Sequence, residues 1–189
     1  MGSSLASRDP KMKLHLGCGS KILVDFINID ARSCEGVVVD DIKTLSSFGP
    51  CSVDLIYASH VLEHVSRHER KIVLGRWHEI LKPGAVLRVA VPDFSKVVDL
   101  YQEGVPLENL IGFLYGRQDY DLNFHHYCWD FQSMEKDLKS VGFYSVSRYN
   151  WRETEHADMD DYSQSYYPHM DKEDGLLMSL NVEAIKRKY

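Results

Sequence analysis

The stretch LHLGCGSKIL, residues 14–23, is an apolar run that breaks into two glycines one residue apart. An apolar segment such as Met12–Leu16 is typical of a buried β-strand. Gly17 and Gly19 allow a sharp turn after this strand, where main-chain N–H groups can approach a ligand closely. The dinucleotide fingerprint GxGxxG is incomplete, because Ile22 stands at its sixth position. The sequence therefore predicts a strand followed by a ligand-binding turn, and it disfavours a nicotinamide cofactor.

Four further apolar segments follow along the first half of the chain. They predict strands over Phe26–Ile29, Val37–Val39, Val53–Ala58 and Ala85–Val91. Their near-continuous apolar character is typical of parallel strands that are covered on both faces. Before the fifth strand, apolar residues at helical spacing predict a helix that ends at Lys82, because Pro83 disfavours helix before it. Strand, helix and strand in this order predict a right-handed crossover and a doubly wound α/β fold.

The second half of the chain predicts three helices and two strands. The helices are expected over Phe94–Gln102, Leu107–Tyr115 and Phe131–Val141, and the strands over Phe143–Tyr149 and Leu176–Ile185. Residues 152–175, between the two strands, are acidic and rich in tyrosine and show no regular pattern. A connection of this length is uncommon in a domain and is often a functional lid or an ordered surface loop.

The composition limits the class of protein. The 189 residues are 44% hydrophobic and 26% charged, which predicts a single domain over residues 11–189 after a flexible tail over residues 1–10. The net charge of −6, with scattered Lys and Arg, argues against binding to nucleic acid or an anionic membrane. No apolar run approaches the roughly 20 residues of a membrane span. We expect a cytoplasmic protein whose four cysteines, with no CxxC pair, are free thiols.

Acidic residues follow two of the predicted strands. Asp30 ends the second strand, where its carboxylate can accept both hydroxyls of a ribose; the alternative is a turn or helix N-cap. Asp40 and Asp41 end the third strand, where one can meet an adenine amino group while the other caps the turn. Because the carboxyl ends of parallel strands lie at one edge of a sheet, these carboxylates and the glycine turn predict a single ligand-binding edge.

The order of motifs resembles the class I S-adenosylmethionine-dependent methyltransferases, in particular small predicted methyltransferases with an ASHVLEH segment. The segments that carry the resemblance are LHLGCGS, INIDA, VVDDI, VDLIYASHVLEHV and EILKPGAVLRVAVPD, from about Lys13 to Asp93, and the closing SLNVEAIK resembles the last strand of the family. The resemblance implies a Rossmann-like methyltransferase fold. Its sheet has seven mostly parallel strands, and the last strand is antiparallel.

The resemblance also implies the cofactor S-adenosylmethionine, with S-adenosylhomocysteine as its product. The residues implied at the cofactor are Leu16, Gly17, Cys18 and Gly19 at the methionine end, Asp30 at the ribose, Asp41 and Ile42 at the adenine, and Ser59 and His60 near the sulfonium. The chain departs from the family at two positions, since many members have an acidic residue in place of His15 and a third glycine in place of Lys21. The segment from Gly19 to Phe26 is also short for a full helix.

Histidines are the candidates for acid–base and metal chemistry. A hydroxyl acceptor calls for a base, and His125 or His126 in NFHHYCWD is our candidate; the alternative is that this aromatic loop packs onto the sheet. His60 and His64 stand four residues apart with Glu63 between them, a spacing that resembles a metal pair. Because the order is HxxEH and no third ligand is evident, we predict no metal site.

The predicted function is that of an S-adenosylmethionine-dependent methyltransferase acting on a small-molecule or saccharide-type acceptor. No NPPY-like segment of base-methylating enzymes is present, and the basic surface expected for a nucleic-acid substrate is missing. The alternative is a catalytically inactive cofactor-binding or regulatory protein on the same fold, because fold alone does not establish function. The sequence leaves open the acceptor, the methylated atom and the oligomeric state.

Overall fold

The computed structural model describes residues 11–188, so the expectation of a flexible tail over residues 1–10 lies outside the described residues. The strands within this range are β1 (Lys13–Leu16), β2 (Ile27–Asp30), β3 (Val37–Val39), β4 (Val53–Ser59), β5 (Leu81–Pro92), β6 (Phe143–Arg148), β7 (Tyr166–Tyr167), β8 (Leu176–Leu177) and β9 (Ser179–Lys186). The α-helices are α1 (Arg70–Ile80), α2 (Phe94–Gln102), α3 (Leu107–Tyr115) and α4 (Phe131–Ser140). Single 3₁₀ turns cover Leu62–His64, Trp151–Glu153 and Tyr162–Gln164.

Seven of these strands form one sheet in the order β3-β2-β1-β4-β5-β9-β6. Strand β9 is antiparallel to both of its neighbours, and the other pairs are parallel. The prediction of a doubly wound, mostly parallel seven-stranded sheet with an antiparallel last strand is confirmed. The strand order reverses between β1 and β4, and ligands of open α/β sheets bind beyond the carboxyl ends of the strands at such a switch point.

The connection before β5 differs from the helix that the sequence predicts. Helix α1 begins only at Arg70 and ends at Ile80, two residues before the predicted end at Lys82. Leu81 is extended and pairs with Val53, so β5 begins at this residue and runs through Pro83. The extended conformation before a proline favours the strand over a further helical turn.

Helices α1 and α4 cover one face of the sheet with an apolar core. Trp77, Leu74, Met134 and Leu138 are buried there against the apolar residues of the central strands. The Trp77 indole N–H donates to the carbonyl of Ile42 at 2.7 Å, which satisfies the one polar group of this buried ring. This packing fixes the loop after β3, where an adenine ring is expected.

The opposite face of the sheet carries a row of polar residues in register on neighbouring strands. From β2 to β9 the row consists of Asn28, His15, Tyr57, Arg88 and Glu183. No helix covers this face between β1 and β2 in the described chain; residues 151–164, which we call the covering segment, pack on it instead. The acidic stretch between the last two long strands is therefore part of the folded structure.

Contacts between the covering segment and the polar row are specific. The His156 ring stacks on Tyr57 with centroids 3.9 Å apart, and the Tyr57 hydroxyl donates to Oδ2 of Asp161 at 2.6 Å. Arg88 pairs with Glu155 of the covering segment and with Glu183 of β9, each at 2.7 Å. The sheet face is thus closed by stacking and ion pairs where a helix with an apolar face is the usual cover.

Helices α2 and α3 pack around a smaller apolar cluster beside the β7–β8 hairpin, with Leu110 and Met178 fully buried. Met178 separates β8 from β9, so the single strand predicted over Leu176–Ile185 is divided in two. Within residues 11–188, every helix is too short or too polar to cross a membrane.

Candidate functional site

The glycine turn follows β1 at the carboxyl edge of the sheet. Gly17 and Gly19 have φ angles of +62° and +56°, a left-handed conformation that glycine adopts without a steric penalty. The Val61 side chain lies where a Cβ on Gly17 would stand, so this glycine also allows the loop after β4 to approach the turn. The N–H of Cys18 donates to the carbonyl of Ile29 at 3.0 Å, which aligns the turn with the end of β2.

Asp30 ends β2 with its carboxylate directed at this turn. Its Oδ2 accepts from the N–H of Gly19 at 2.8 Å, and its Oδ1 accepts from the N–H and the Nε of Arg32 at 2.9 and 3.2 Å. A carboxylate has about four lone-pair sites, so one remains on Oδ2. The Nε of Arg32 occupies a lone-pair site on Oδ1. Because the Arg32 side chain is 54% exposed, it can move away and leave this site to a ligand. Asp30 can therefore offer one acceptor on each oxygen to a pair of neighbouring hydroxyls.

The remaining residues of the predicted methionine end lie beside the turn. Leu16 and Cys18 are buried, and burial raises the pKa of the Cys18 thiol to about 11, so the thiol is protonated and unreactive at neutral pH. At the end of β4, the Oγ of Ser59 is buried without a hydrogen-bond partner in residues 11–188. A buried hydroxyl of this kind is suited to a polar group of a ligand.

Asp40 and Asp41 act as turn-capping residues after β3. The Asp40 carboxylate accepts from the N–H groups of Asp41 and Ser47, and Asp41 accepts from the N–H of Lys43. The Asp41 side chain is exposed, and Ile42 packs its side chain against the main core. The two carboxylates thus shape the loop at which the adenine is expected.

His60 directly follows β4 in a left-handed conformation, with φ of +50°. Such a conformation is uncommon for a residue with a side chain and is frequent at functional sites. Its Nε2 lies 3.1 Å from the Oγ of Ser179, and its Nδ1 lies 3.3 Å from Oε1 of Glu63. The Tyr162 ring of the covering segment lies beside the His60 imidazole, with centroids 5.4 Å apart.

Glu63 is deeply buried at this edge, with 1% of its surface exposed, as is Asp93 after β5. Burial raises the pKa of such a group, but positive charge on the surrounding imidazoles, that of His60 above all, outweighs burial and holds the Glu63 pKa below its ordinary value. The carboxylate is therefore charged at neutral pH. The sequence spacing indicates His60 and His64 as its neighbours but not His125, which comes from a loop more than 60 residues later.

The two candidate bases occupy different environments. The Nδ1 of His125 lies 3.0 Å from the carbonyl of Phe113, and its Nε2 faces Glu63 at 4.0 Å. Burial lowers the pKa of His125, so its imidazole is neutral at pH 7. The His126 side chain is exposed. Its main-chain N–H donates a hydrogen bond of 2.8 Å to the carbonyl of Glu63.

Comparison with known proteins finds a likeness in sequence over part of the chain and a likeness in fold over most of it. A sequence model of a family described as a methyltransferase domain matches residues 19–89. No match is found among curated proteins.

Three solved structures illustrate the likeness in fold. A SAM-dependent methyltransferase from Archaeoglobus fulgidus is 15% identical, with a TM-score of 0.56 over 94% of this chain and 87% of that chain. A methyltransferase from Listeria monocytogenes is 16% identical, with a TM-score of 0.56 over 94% and 92%. The 1,6-didemethyltoxoflavin-N1-methyltransferase from Burkholderia thailandensis, with bound 1,6-didemethyltoxoflavin and S-adenosylhomocysteine, is 12% identical, with a TM-score of 0.57 over 94% and 72%. At these identities the likeness concerns the fold.

Proposed function

We propose that this chain is a class I S-adenosylmethionine-dependent methyltransferase that methylates a small-molecule or saccharide-type acceptor, and the sequence match over residues 19–89 and the shared fold support this. The observation that carries the proposal is a hydrogen bond between the glycine turn and Asp30. The N–H of Gly19 donates to the Asp30 carboxylate at 2.8 Å. This unit lies at the strand-order switch point of the sheet, where ligands of such folds bind.

The residues at this edge fit the cofactor. With the Arg32 side chain displaced, Asp30 offers an acceptor on each oxygen to the two ribose hydroxyls, while the N–H groups of Gly19 and Arg32 keep the carboxylate oriented. The unpartnered Ser59 Oγ is suited to the polar methionine end, together with Leu16 to Gly19. Asp41 and Ile42 flank the loop proposed for the adenine. When bound, S-adenosylmethionine supplies an electrophilic methyl group.

The chain's own contribution to the transfer is to bind, orient and deprotonate the acceptor. His60 lines the edge beside Ser59, where we expect the acceptor to approach. Of the two candidate bases, His126 has the exposed imidazole, and no hydrogen bond occupies its ring nitrogens within residues 11–188, so it is free to accept a proton. His125 is the second candidate, although both of its ring nitrogens face protein groups.

A small acceptor agrees with two properties of the protein. Its net charge of −6 disfavours a polyanionic substrate such as nucleic acid. The structurally similar Burkholderia enzyme is named for a small molecule and holds one beside S-adenosylhomocysteine. We also propose the cytoplasm as its compartment, since Cys18, Cys34, Cys51 and Cys128 are free thiols.

Two experiments test the proposal in sequence. Calorimetric titration with S-adenosylmethionine and S-adenosylhomocysteine is expected to show one site per chain for each, and the absence of binding by both contradicts the cofactor assignment. Transfer of a radiolabelled methyl group is then measured with a panel of hydroxylated small molecules and saccharides, with RNA and protein as comparison substrates. Transfer only to RNA or protein contradicts the proposed acceptor class.

Substitution of the candidate bases completes the test. With an acceptor in hand, His126→Ala is expected to lower kcat by about 10²- to 10⁴-fold, the usual contribution of a general base. Cofactor affinity is expected to stay unchanged, which separates loss of the base from loss of the fold. If His126→Ala and His125→Ala both retain the full rate, neither histidine is the base.

A further inference from the structure

Glu63 and three histidines lie together at the carboxyl edge of the sheet. We call this group the histidine cluster; its members are Glu63, His60, His64 and His125. Glu63 and His64 lie on the 3₁₀ turn after β4, and His125 comes from the loop before α4. Both oxygens of the buried Glu63 carboxylate lack a hydrogen-bond partner within residues 11–188. A buried charge without donors is costly, so this arrangement calls for a positively charged or donating group.

The backbone determines which nitrogen of His64 and His125 carries a proton. The Nδ1 of His64 lies 3.1 Å from the carbonyl of Phe124, and the Nδ1 of His125 lies 3.0 Å from the carbonyl of Phe113. A carbonyl oxygen only accepts, so each Nδ1 is the donor. In the neutral ring the Nε2 then carries a lone pair, and that of His125 faces Oε1 of Glu63 at 4.0 Å.

A chain of hydrogen bonds determines the proton on His60 as well. The Asn181 amide donates from Nδ2 to the carbonyl of Ser163 at 2.8 Å, so its Oδ1 faces Ser179 as an acceptor. The Ser179 hydroxyl therefore donates to Asn181 at 2.9 Å and accepts from His60 Nε2 at 3.1 Å. In neutral His60 the lone pair is then on Nδ1, 3.3 Å from Oε1 of Glu63.

In their neutral forms, all three imidazoles thus donate their single N–H to other acceptors, and those of His60 and His125 face Oε1 of Glu63 with lone pairs. We propose that Glu63, His64 and His125 bind a divalent transition-metal ion of the zinc class. Two imidazoles and a carboxylate are one of the ligand sets of zinc sites that keep a fourth position open for water or substrate. The carbonyl groups that accept from each Nδ1–H are the outer partners that metal-binding histidines usually have.

The distances suit such an ion after small side-chain rotations. One ligand atom from each of the three residues lies within 4.8 Å of the other two, and the Glu63–His125 pair is at 4.0 Å. Tetrahedral ligands at zinc–ligand distances near 2.1 Å are about 3.4 Å apart, so the Glu63–His125 pair closes by about 0.6 Å and the other pairs by at most about 1.4 Å. The prediction of no metal from the sequence rested on a missing third ligand, and the fold supplies that ligand as His125.

The competing explanation is a proton on His60, which would form an ion pair with Glu63 and need no metal. Metal uptake distinguishes a bound metal ion from a protonated His60. It is measured without S-adenosylmethionine, so the result does not depend on the proposed function. The full chain, without a histidine tag, is stripped with a chelator and titrated with Zn²⁺ against a chromophoric chelator. One tightly bound ion per chain is expected, and X-ray absorption of the loaded protein is expected to show two imidazole ligands.

Variants identify the ligands. Glu63→Gln and His125→Asn are expected to weaken zinc binding by more than about 100-fold, because even changes to outer partners of a metal site typically cost about 10- to 100-fold. The matched controls are His126→Asn, on the same loop, and the exposed His68→Asn; both are expected to retain the affinity. Circular dichroism verifies that each variant is folded.

Three results overturn the proposal. The first is a wild-type chain that takes up no stoichiometric zinc. The second is an absorption spectrum without two imidazole ligands, which decides the matter even if the variants fail to fold. The third is binding that Glu63→Gln and His125→Asn leave unchanged while His126→Asn or His68→Asn removes it.

Discussion

The backbone N–H of Gly19 donates a hydrogen bond of 2.8 Å to Oδ2 of Asp30, which joins the turn after β1 to the carboxylate after β2. Two residues that are eleven positions apart in the chain therefore act as one unit. A change at either residue is expected to disturb the other, because the turn orients the carboxylate and the carboxylate holds the turn.

Asp30→Asn is expected to weaken binding of S-adenosylhomocysteine by at least about 10-fold. Hydrogen bonds to a charged group contribute about 1.5–3 kcal/mol each, and the amide both removes the charge and replaces one acceptor by a donor. Calorimetric titration measures the affinity. Asp54→Asn is the matched control, since Asp54 pairs with Lys82 at the other end of β4, and it is expected to leave the affinity unchanged. Equal effects of the two substitutions would contradict the role of Asp30.

Arg32→Ala is expected to strengthen cofactor binding by a few fold, in contrast to Asp30→Asn. The Arg32 Nε occupies a lone-pair site on Oδ1 of Asp30, and removing the side chain frees that site while the main-chain N–H bond remains. The Arg32 side chain is largely exposed although Asp30 is buried, so solvent screens their ion pair, which contributes about 0–1 kcal/mol, and the fold is expected to persist. The same titration measures the change. A loss of affinity as large as that of Asp30→Asn would instead make Arg32 a direct ligand of the cofactor.

Gly17→Ala is expected to lower the free energy of unfolding by about 2–5 kcal/mol, as measured by urea denaturation. The left-handed backbone costs a residue with a Cβ about 1–2 kcal/mol, and overpacking against Val61 adds roughly 1–3 kcal/mol. Gly19→Ala is the matched comparison, because its Cβ would meet only Arg32 Nη2, at 3.5 Å. The backbone cost alone is expected there, about 1–2 kcal/mol.

A double-mutant cycle separates the steric part of this effect. In a Val61→Ala background, the cost of Gly17→Ala is expected to fall by at least about 1 kcal/mol, because the two Cγ methyl groups that the new Cβ meets are removed and only the Cβ of residue 61 remains beside it. Additive effects of the two substitutions would show that Val61 does not limit the turn.

The apolar strands and their end residues are the features that the sequence predicts well. Parallel strands buried on both faces need continuous apolar runs, and Val53–Ala58 is one of them, observed as Val53–Ser59. Asp130 directly precedes the helix predicted from Phe131, and it caps that helix in a capping box with Ser133, because local hydrogen bonding determines such positions. Features that depend on neighbours in the chain are therefore readable from the sequence.

Features that depend on distant parts of the chain are not. The histidine cluster needs His125 beside Glu63, and no spacing rule links positions so far apart. The short connection between β1 and β2 is visible in the sequence and predicts that a full helix is missing there. The structural consequence of the missing helix is not visible in the sequence. That consequence is the polar row of the sheet, in which His15 bonds to Asn28 and stacks on Tyr57.

The covering segment makes stability dependent on pH through His156. Arg88 Nη1 donates to the Nε2 of His156 at 3.1 Å, so the imidazole is held neutral. Burial and then the Arg88 charge lower its pKa from 6.5 to about 4. The unfolded chain binds the proton between these values and the folded chain does not, so stability falls as the pH falls from 6.5 towards 4. The contribution of His156 is at most about 1.4 kcal/mol per pH unit.

His156→Gln tests this dependence, because the glutamine keeps an oxygen acceptor for Arg88 but does not titrate. Urea denaturation at pH values between 4 and 7 is expected to give a shallower loss of stability for His156→Gln than for the wild type, with a constant difference above pH 6.5. The exposed His68→Gln is expected to follow the wild type, which isolates the buried imidazole from general histidine titration. Equal slopes for all three proteins would mean that His156 is protonated in the fold, and the Arg88 hydrogen bond would then be lost.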